Sequence, residues 1–237
     1  DAQNGIYFIQ RNYPVPGRSS VIYYRKGSAA SKLSIDDIDQ DYIKEAKLFH
    51  LTGITPALSE SCREASFKAL EIASQFGVKI SVDTNIRLRL WSREEARETL
   101  IPMLRKANIV LIEPQDAEIL IGKKKPKEIA EEIFSMGAET VVVKLGAEGA
   151  AAYTPDEEAR KSAYKVLVAD VIGAGDAFAA GFISSLMLGK SLEEALEIGN
   201  VAGALVVTVR GDFENMPSWE DIDKFLAAQR KETVILR

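Results

Sequence analysis

The sequence predicts a doubly wound α/β fold, in which a mostly parallel β-sheet carries helices on both faces, together with a small β lid. From residue 34 onward, apolar runs of strand length alternate with stretches of helical period, the pattern of a parallel sheet joined by helices. Residues 5–10 and 20–25 instead alternate as two strands around Pro14, Pro16 and Gly17, which indicates a hairpin-like ribbon. We therefore expect a partial lid ribbon over residues 1–30 and an α/β domain over residues 31–237.

Buried strands are predicted where short apolar runs lack a helical period, at residues 46–51, 78–82, 109–112 and 140–143. A further strand is expected at residues 164–168, just before a glycine-rich turn. Helices are predicted at residues 59–75, 92–104, 126–136, 174–188, 192–209 and 218–229. The first three open on residues that favour a helix start, because Ser59 and Ser92 can cap and Pro126 suits the first turn. Right-handed crossovers follow from this order of strands and helices.

The composition favours a small-molecule partner. A net charge of −5 gives no overall attraction to nucleic acids or anionic membranes, so an anionic substrate would need locally placed Arg or Lys. No apolar run approaches the roughly 18 residues that a membrane span requires, and the single cysteine, Cys62, excludes an intrachain disulfide. We expect a soluble, cytoplasmic protein with no nucleic-acid or membrane partner.

A glycine-rich turn carries the strongest local signal in the chain. Gly173, Ala174, Gly175 and Asp176 lie where a predicted strand ends and an apolar helix begins. Small residues let the backbone approach an anion closely, and the amides of the first helical turn point toward it. The turn lacks the third glycine of a dinucleotide-binding fingerprint, where Phe178 stands, and it lacks the Lys-Ser or Lys-Thr pair of a phosphate loop. It is therefore predicted to be an anion hole of another kind.

Asp176 is unusual in this setting, because a bound phosphate would repel its carboxylate. A carboxylate beside a phosphate site has a chemical use if it accepts a proton. In phosphoryl transfer the acceptor hydroxyl loses its proton, while backbone amides stabilise the charge of the transferred group. The helix N-terminus would keep this carboxylate ionised. A plain alternative is that Asp176 complements the helix dipole and the glycines make a tight turn. The local pattern favours neither interpretation.

The chain as a whole resembles the ribokinase-type (PfkB) carbohydrate kinases. Residues 170–181 are similar to the C-terminal signature of that family, in which Gly-Ala-Gly-Asp forms the anion hole and the catalytic base. Residues 23–31, 51–55, 83–87 and 90–92 resemble the 2-keto-3-deoxygluconate kinase branch, particularly its archaeal members. The resemblance implies a ribokinase-like fold and an ATP- and Mg²⁺-dependent transfer to 2-keto-3-deoxygluconate, giving 2-keto-3-deoxy-6-phosphogluconate.

The resemblance also assigns site residues. It implies that Asp176 is the catalytic base and that the anion hole is completed by Gly173, Ala174 and Gly175. The nucleotide-binding residues that it implies are those four together with Asn85, Arg87, Lys144, Leu145, Gly146, Ala147, Glu148 and Gly149. The substrate-binding residues that it implies are Tyr7, Tyr23, Tyr24, Arg25, Arg87, Asp176 and Asp212. Glu118 is implied to support Mg²⁺ indirectly, while nucleotide phosphates and water hold most of the ion.

A sugar acid gives several of these residues a physical rationale. A guanidinium can donate two parallel hydrogen bonds to a carboxylate, which suits Arg25 and Arg87. Tyr23 and Tyr24 would point to opposite faces of a strand, so we expect one of them to meet the substrate and the other to pack.

The sequence departs from the family pattern in three respects. It begins inside that pattern, so we expect the N-terminal portion, which carries a glycine-rich sugar-binding segment in this family, to be missing. Ile172 stands where relatives usually carry Thr, and Gln115 stands where a metal-supporting motif usually carries Asn. We expect a modest effect from Ile172, because the backbone amides stay in place.

Other functions stay open at this point. Another ribokinase-family kinase, acting on fructose or on a nucleoside, would share the anion hole but would not need Arg87. A truncated, non-catalytic relative would bind nucleotide or sugar without transferring a phosphoryl group. The need for a monovalent cation is also open, and the resemblance favours a homo-oligomer joined through the lid.

Overall fold

The computed structural model describes residues 2–11, 15, 19–211 and 213–235. The chain forms two compact units, the first from residues 1–143 and 153–157 and the second from residues 144–152 and 158–237. The predicted domain boundary at residue 30 was based on the expected role of the ribbon as a lid. It stays a prediction.

The first unit opens with a two-stranded antiparallel ribbon, β1 (Ile6–Arg11) and β2 (Ser19–Tyr24). Tyr7 pairs with Tyr23, so these two side chains share one face of the ribbon. The opposite face carries four apolar side chains, Ile6, Phe8, Ile22 and Tyr24. The ribbon predicted from the alternating pattern is confirmed.

Four parallel strands form the sheet of the first unit, in the order β3 (Leu48–Thr52), β4 (Lys79–Asp83), β5 (Ile109–Ile112) and β6 (Thr140–Lys144). The helices of this unit are α1 (Gln40–Lys44), α2 (Ile54–Ala57), α3 (Glu60–Gln75), α4 (Arg93–Leu104), α5 (Pro114–Ile121) and α6 (Pro126–Phe134). Every residue of β5 is buried, and because its side chains alternate between the two faces, both faces of the sheet are covered. The predicted mostly parallel α/β sheet is thereby confirmed.

Local sequence explains where these helices begin. Ser59 caps α3 by accepting a hydrogen bond of 3.1 Å from an amide of its first turn. Ser92 and Glu95 form a reciprocal capping box at the start of α4. Pro114 and Pro126 occupy the first positions of α5 and α6, where no amide hydrogen is needed. The predicted starts at residues 59 and 92 are therefore caps, one residue before each helix.

The second unit contains most of β7 (Ala150–Tyr153), β8 (Glu158–Lys161), α7 (Ala174–Met187), α8 (Leu192–Val206) and α9 (Trp219–Ile235). Glycines bring α7 and α8 close together, since a Cβ added at Gly181 would lie 3.2 Å from Gly199 Cα, and one added at Gly199 would lie 3.0 Å from the Phe178 ring. Among the described helices, none combines the length and apolar character that crossing a membrane would need.

The strand predicted at residues 164–168 is wrong. No strand forms there, and β8 ends three residues earlier, at Lys161. The Tyr164 ring packs edge-on against Phe225 at 5.1 Å, and its hydroxyl donates a hydrogen bond to Glu197 at 3.2 Å. Val168, at the end of this segment, is 60% exposed. The strand-like alternation of apolar residues at 164–168 therefore reflects side-chain packing and not backbone pairing between strands.

Candidate active site

The glycine-rich turn begins α7 in the second unit. Gly173 is the N-cap and adopts a left-handed backbone, with φ of 79° and ψ of −10°, that residues with a Cβ adopt only with strain. Ala174, Gly175 and Asp176 form the first helical turn, and Asp176 is exposed. Amides in a first turn have no acceptor within their own helix, so this turn can donate hydrogen bonds to an anion. The structure brings together all four residues predicted for the anion hole.

Two contacts support this turn. A Cβ added at Gly203 would lie 3.2 Å from the carbonyl oxygen of Ala174, so glycine lets α8 approach the turn closely. Asp170 is buried, and its carboxylate accepts a hydrogen bond of 3.3 Å from the amide of Ile172. The amide of Asp170 donates in turn to the carbonyl oxygen of Val207 at 3.2 Å. Ile172 takes part through its backbone, so the family's Thr side chain is not needed for the shape of the turn.

The predicted nucleotide loop lies in the same unit. β6 ends at Lys144, a short 3₁₀ helix follows at Gly146–Glu148, and the amide of Leu145 donates to the carbonyl oxygen of Gly149 at 2.8 Å. Lys144 is only 8% exposed, and its Nζ lies 3.9 Å from the position that a Cβ at Gly175 would occupy. The ammonium of the buried Lys144 therefore lies beside the N-terminus of α7, and both groups are positive. This arrangement suits a polyphosphate.

Gly149→Ala is expected to destabilise the protein strongly. Gly149 has φ of 98°, and a Cβ there would lie 2.0 Å from the backbone carbonyl oxygen of Lys161. We expect a loss of about 3 kcal/mol in the free energy of unfolding, measured by urea denaturation. Gly189→Ala is a matched control, since Gly189 has φ of 75° and open space around it, and it should lose only about 1 kcal/mol. Equal losses in the two variants would contradict the assigned backbone clash.

Arg25 extends from the ribbon face that carries Tyr7 and Tyr23. Its guanidinium carbon lies 4.1 Å from the centroid of the Tyr23 ring, and the Tyr7 and Tyr23 rings are 5.9 Å apart. The Nε atom of Arg25 is buried and has no hydrogen-bond partner among the described residues, as expected where a ligand supplies the acceptor. Burial lowers the pKa of Arg25, Tyr23 opposes this shift, and the positive charge of Arg87 lowers that pKa further. The positive charge of Arg87 therefore acts on Arg25, and an anion bound at Arg25 would reduce this repulsion.

Tyr24 points away from this group. Its ring packs edge-on against Phe8 at 5.8 Å, on the other face of the ribbon, and its side chain is 64% exposed. The expectation that Tyr23 and Tyr24 point to opposite faces is confirmed. The structure brings Tyr7, Tyr23 and Arg25 together and separates Tyr24 from them.

A turn after β4 carries Asn85 and Arg87. Asn85 adopts a left-handed backbone with φ of 34°, and Arg87 is exposed. The carbonyl oxygen of Arg87 accepts a hydrogen bond of 2.8 Å from the amide of Leu90. Both predicted residues therefore lie in one short loop of the first unit.

Asp116 was missed from the sequence. It is 7% exposed, and its carboxylate accepts hydrogen bonds from the hydroxyl of Thr84 at 2.6 Å and from the amide of Ile86 at 3.1 Å. Its sequence signal, an acid just after the Pro114 that begins a helix, is the same as that of an ordinary helix-dipole residue. Only the fold brings α5 next to the turn after β4.

Two further predicted residues have no contact that defines a role. Glu118, predicted to support Mg²⁺ indirectly, is exposed on α5. Within the described part of the chain, no group of three or more His, Cys, Asp or Glu side chains could hold a metal ion. Asp212, predicted to bind the substrate, lies outside the described residues.

Comparison with known proteins places this geometry among sugar kinases. Residues 1–219 match the model of the pfkB family carbohydrate kinases. The 2-dehydro-3-deoxygluconokinase of Thermoproteus tenax is 43% identical over 229 residues, which cover 96% of this chain and 69% of that protein.

Two solved structures have a similar fold. The 2-dehydro-3-deoxygluconokinase of Thermotoga maritima has a TM-score of 0.86 and 29% sequence identity, and the match covers 94% of this chain and 73% of that one. A putative ribokinase II from E. coli, in complex with ATP and Mg²⁺, also has a TM-score of 0.86 and 29% identity, with coverage of 94% and 71%.

Proposed function

Because the chain belongs to the pfkB family of carbohydrate kinases, we propose that it transfers the terminal phosphoryl group of ATP to 2-keto-3-deoxygluconate, giving 2-keto-3-deoxy-6-phosphogluconate. The Thermoproteus tenax relative is named for this compound under its synonym, 2-dehydro-3-deoxygluconate. The observation that carries the choice of a sugar acid is the buried Nε of Arg25, which has no hydrogen-bond partner among the described residues and lies within the positive field of Arg87. A carboxylate supplies both the negative charge and the acceptor oxygens that two neighbouring guanidinium groups need, and a neutral sugar does not.

The proposed sugar contacts come mainly from the first unit. Arg25 and Arg87 bind the carboxylate, and tyrosine hydroxyls contact the rest of the sugar. Tyr7 and Tyr23 have the stronger support, because their rings lie beside each other and Tyr23 lies under the Arg25 guanidinium. The remaining proposed contact is Asp212, whereas Tyr24, on the opposite face of the ribbon, is assigned to packing. The ribbon acts as a lid that excludes water, which would otherwise hydrolyse ATP.

Asp176 is the proposed general base. As the sugar oxygen bonds to phosphorus and the bond from phosphorus to the departing ADP oxygen breaks, the hydroxyl proton passes to the Asp176 carboxylate. The amides of Ala174, Gly175 and Asp176 donate hydrogen bonds to the transferred phosphoryl group, where its negative charge is greatest. The N-terminus of α7 stabilises both the ionised carboxylate and that charge.

The nucleotide is proposed to bind along residues 144–149, with Asn85 and Arg87 as further contacts. The buried ammonium of Lys144 beside the first turn of α7 fits a polyphosphate. Mg²⁺, when bound, neutralises phosphate charge during transfer, and Glu118 would reach it only through water. A monovalent cation is a further activator to test, by comparing turnover in K⁺ and in tetramethylammonium. We also propose a cytoplasmic location, where ATP is supplied.

Product analysis tests the proposed reaction. Incubating the protein with ATP, Mg²⁺ and 2-keto-3-deoxygluconate should release ADP and form an equal amount of a phosphomonoester. Its ³¹P signal should couple to two methylene protons, which places the phosphate on the terminal carbon. Release of ADP without a phosphomonoester would mean that the protein only hydrolyses ATP, and the proposal would fail.

We further propose that the protein forms a homo-oligomer through the ribbon. The side chains of Ile6, Phe8, Ile22 and Tyr24 are 57, 60, 50 and 64% exposed on one face. A contiguous exposed apolar face of this kind favours association. Phe8→Glu is expected to convert an oligomer into a monomer in sedimentation velocity, and a wild-type protein that sediments as a monomer at micromolar concentration would refute the proposal.

A further inference from the structure

We propose that Asp116 is a positioning residue for substrate binding, which holds the turn after β4 so that Arg87 meets the substrate carboxylate. This inference rests on the proposed function, because that function assigns Arg87 to the carboxylate. Asp116 touches neither substrate nor nucleotide, and it acts only through its hydrogen bonds to the turn.

The start of the turn is fixed by the two neighbouring strands. The amide of Gly53, which follows β3, donates to the carbonyl oxygen of Asp83 at 2.9 Å. A Cβ added at Gly53 would lie only 2.0 Å from the carbonyl oxygen of Thr84, so the two backbones are in tight contact. The amide of Thr84 donates to the carbonyl oxygen of Leu111 in β5 at 3.0 Å. These contacts fix the backbone at Asp83 and Thr84, and a separate contact is needed to fix the residues that follow them.

Asp116 supplies that placement. One oxygen of its carboxylate, Oδ2, accepts both the hydroxyl of Thr84 and the amide of Ile86. The two bonds span Asn85, whose left-handed backbone needs its surroundings to hold it. Ile86 directly precedes Arg87, so the bond to its amide sets the direction in which the chain reaches Arg87.

The far side of the turn is joined to the ribbon. The guanidinium of Arg89 donates a hydrogen bond of 2.7 Å to the carbonyl oxygen of Val21 in β2. That strand leads directly to Arg25. A turn released from Asp116 would therefore move Arg87 relative to Arg25, and a pair of arginines binds one carboxylate well only when both are in place.

A carboxylate is a costly choice for stability alone. Asp116 is 7% exposed, and an apolar side chain would be buried there at lower cost than a charged one. Charge-assisted hydrogen bonds are stronger than neutral ones, so a carboxylate holds the Thr84 hydroxyl, at 2.6 Å, and the Ile86 amide more firmly than a neutral acceptor would. The gain lies in the geometry of the loop that carries Arg87.

A double-mutant cycle tests this role by measuring KM and kcat for 2-keto-3-deoxygluconate. Asp116→Ala should raise KM about tenfold with little change in kcat, whereas adding it to Arg87→Ala should raise KM by no more than about twofold. Asp116→Asn keeps an acceptor oxygen and should recover part of the loss. Asp41→Asn removes an exposed carboxylate from the same unit and serves as the control for charge alone.

The outcomes distinguish an Asp116 that acts through Arg87 from one that acts independently of Arg87. If Asp116→Ala and Arg87→Ala each raise KM and their effects multiply, Asp116 acts independently of Arg87 and the inference is overturned. An unchanged KM in folded Asp116→Ala or Asp116→Asn protein would overturn it as well. If Arg87→Ala itself leaves KM unchanged, the assignment of the carboxylate to Arg87 fails first, and with it the function on which the inference rests. Circular dichroism melting of each variant shows whether it is folded.

Discussion

Asp176→Asn is expected to lower kcat by about 1,000-fold, within the range for loss of a general base. Asparagine has nearly the same size as aspartate but cannot accept the proton of the attacking hydroxyl. The backbone amides of the anion hole remain, and removing a negative charge reduces repulsion of the phosphates. The Kd for ATP, measured by calorimetry, should therefore stay the same or fall.

A matched variant separates this role from the plain helix-dipole interpretation. Glu220 lies in the first turn of α9, exposed and paired with Lys224, one position nearer to its helix N-terminus than Asp176 is in α7. Glu220→Gln should leave kcat unchanged, although both variants should lose up to about 1 kcal/mol of folding stability. Unchanged turnover in Asp176→Asn would remove Asp176 from the mechanism and leave the dipole interpretation.

Arg87→Ala is expected to raise KM for 2-keto-3-deoxygluconate by about 30- to 150-fold. Losing a hydrogen-bonded charge pair with the substrate carboxylate costs about 2–3 kcal/mol, which corresponds to that factor. Arg25→Ala should have an effect of similar size, because Arg25 is proposed to bind the same carboxylate. This variant also removes the contact of the guanidinium with the Tyr23 ring. Arg87→Lys should recover only part of the loss, since an ammonium cannot form the two parallel hydrogen bonds of a guanidinium.

Steady-state kinetics with a matched control checks this assignment. Arg93 is an exposed arginine at the start of α4 in the same unit, and Arg93→Ala should leave KM unchanged. A loss in Arg87→Ala that is equally large for a neutral sugar such as fructose would contradict the assignment, because the carboxylate would then not be the group that Arg87 binds.

Local signals were sufficient for most of the secondary structure. The run at residues 109–112 is apolar throughout because β5 is buried on both faces, and its bounds were predicted without error. Ser59 and Ser92 were recognised as helix starts because capping depends on the side chain of one residue. The segment at residues 164–168 was misassigned because an apolar alternation can arise from tertiary packing, here of Tyr164 on Phe225, as well as from strand pairing.

The site was predictable where chemistry lies in neighbouring residues. Gly173 and Asp176 stand in one motif, and the family resemblance drawn from it, with the carbohydrate kinase activity that it implied, is confirmed by the matches to this family. Asp116 could not be found in this way, because its partners Thr84 and Ile86 lie about thirty residues away and meet it only when parallel strands align their ends. The role of each proposed site residue stays a prediction.

The ratio of kcat/KM for 2-keto-3-deoxygluconate to kcat/KM for fructose tests the central claim most directly, because it compares an acidic with a neutral six-carbon acceptor on the same anion hole. If Arg25 and Arg87 select a carboxylate, the ratio should exceed about 30 in the wild-type protein, the lower end of the factor that one charged contact implies. It should fall by about 30- to 150-fold in Arg87→Ala, the factor expected for the loss of that one contact. A ratio near 1 in the wild-type protein, or a preference for fructose, would contradict the account of this chain as a sugar-acid kinase.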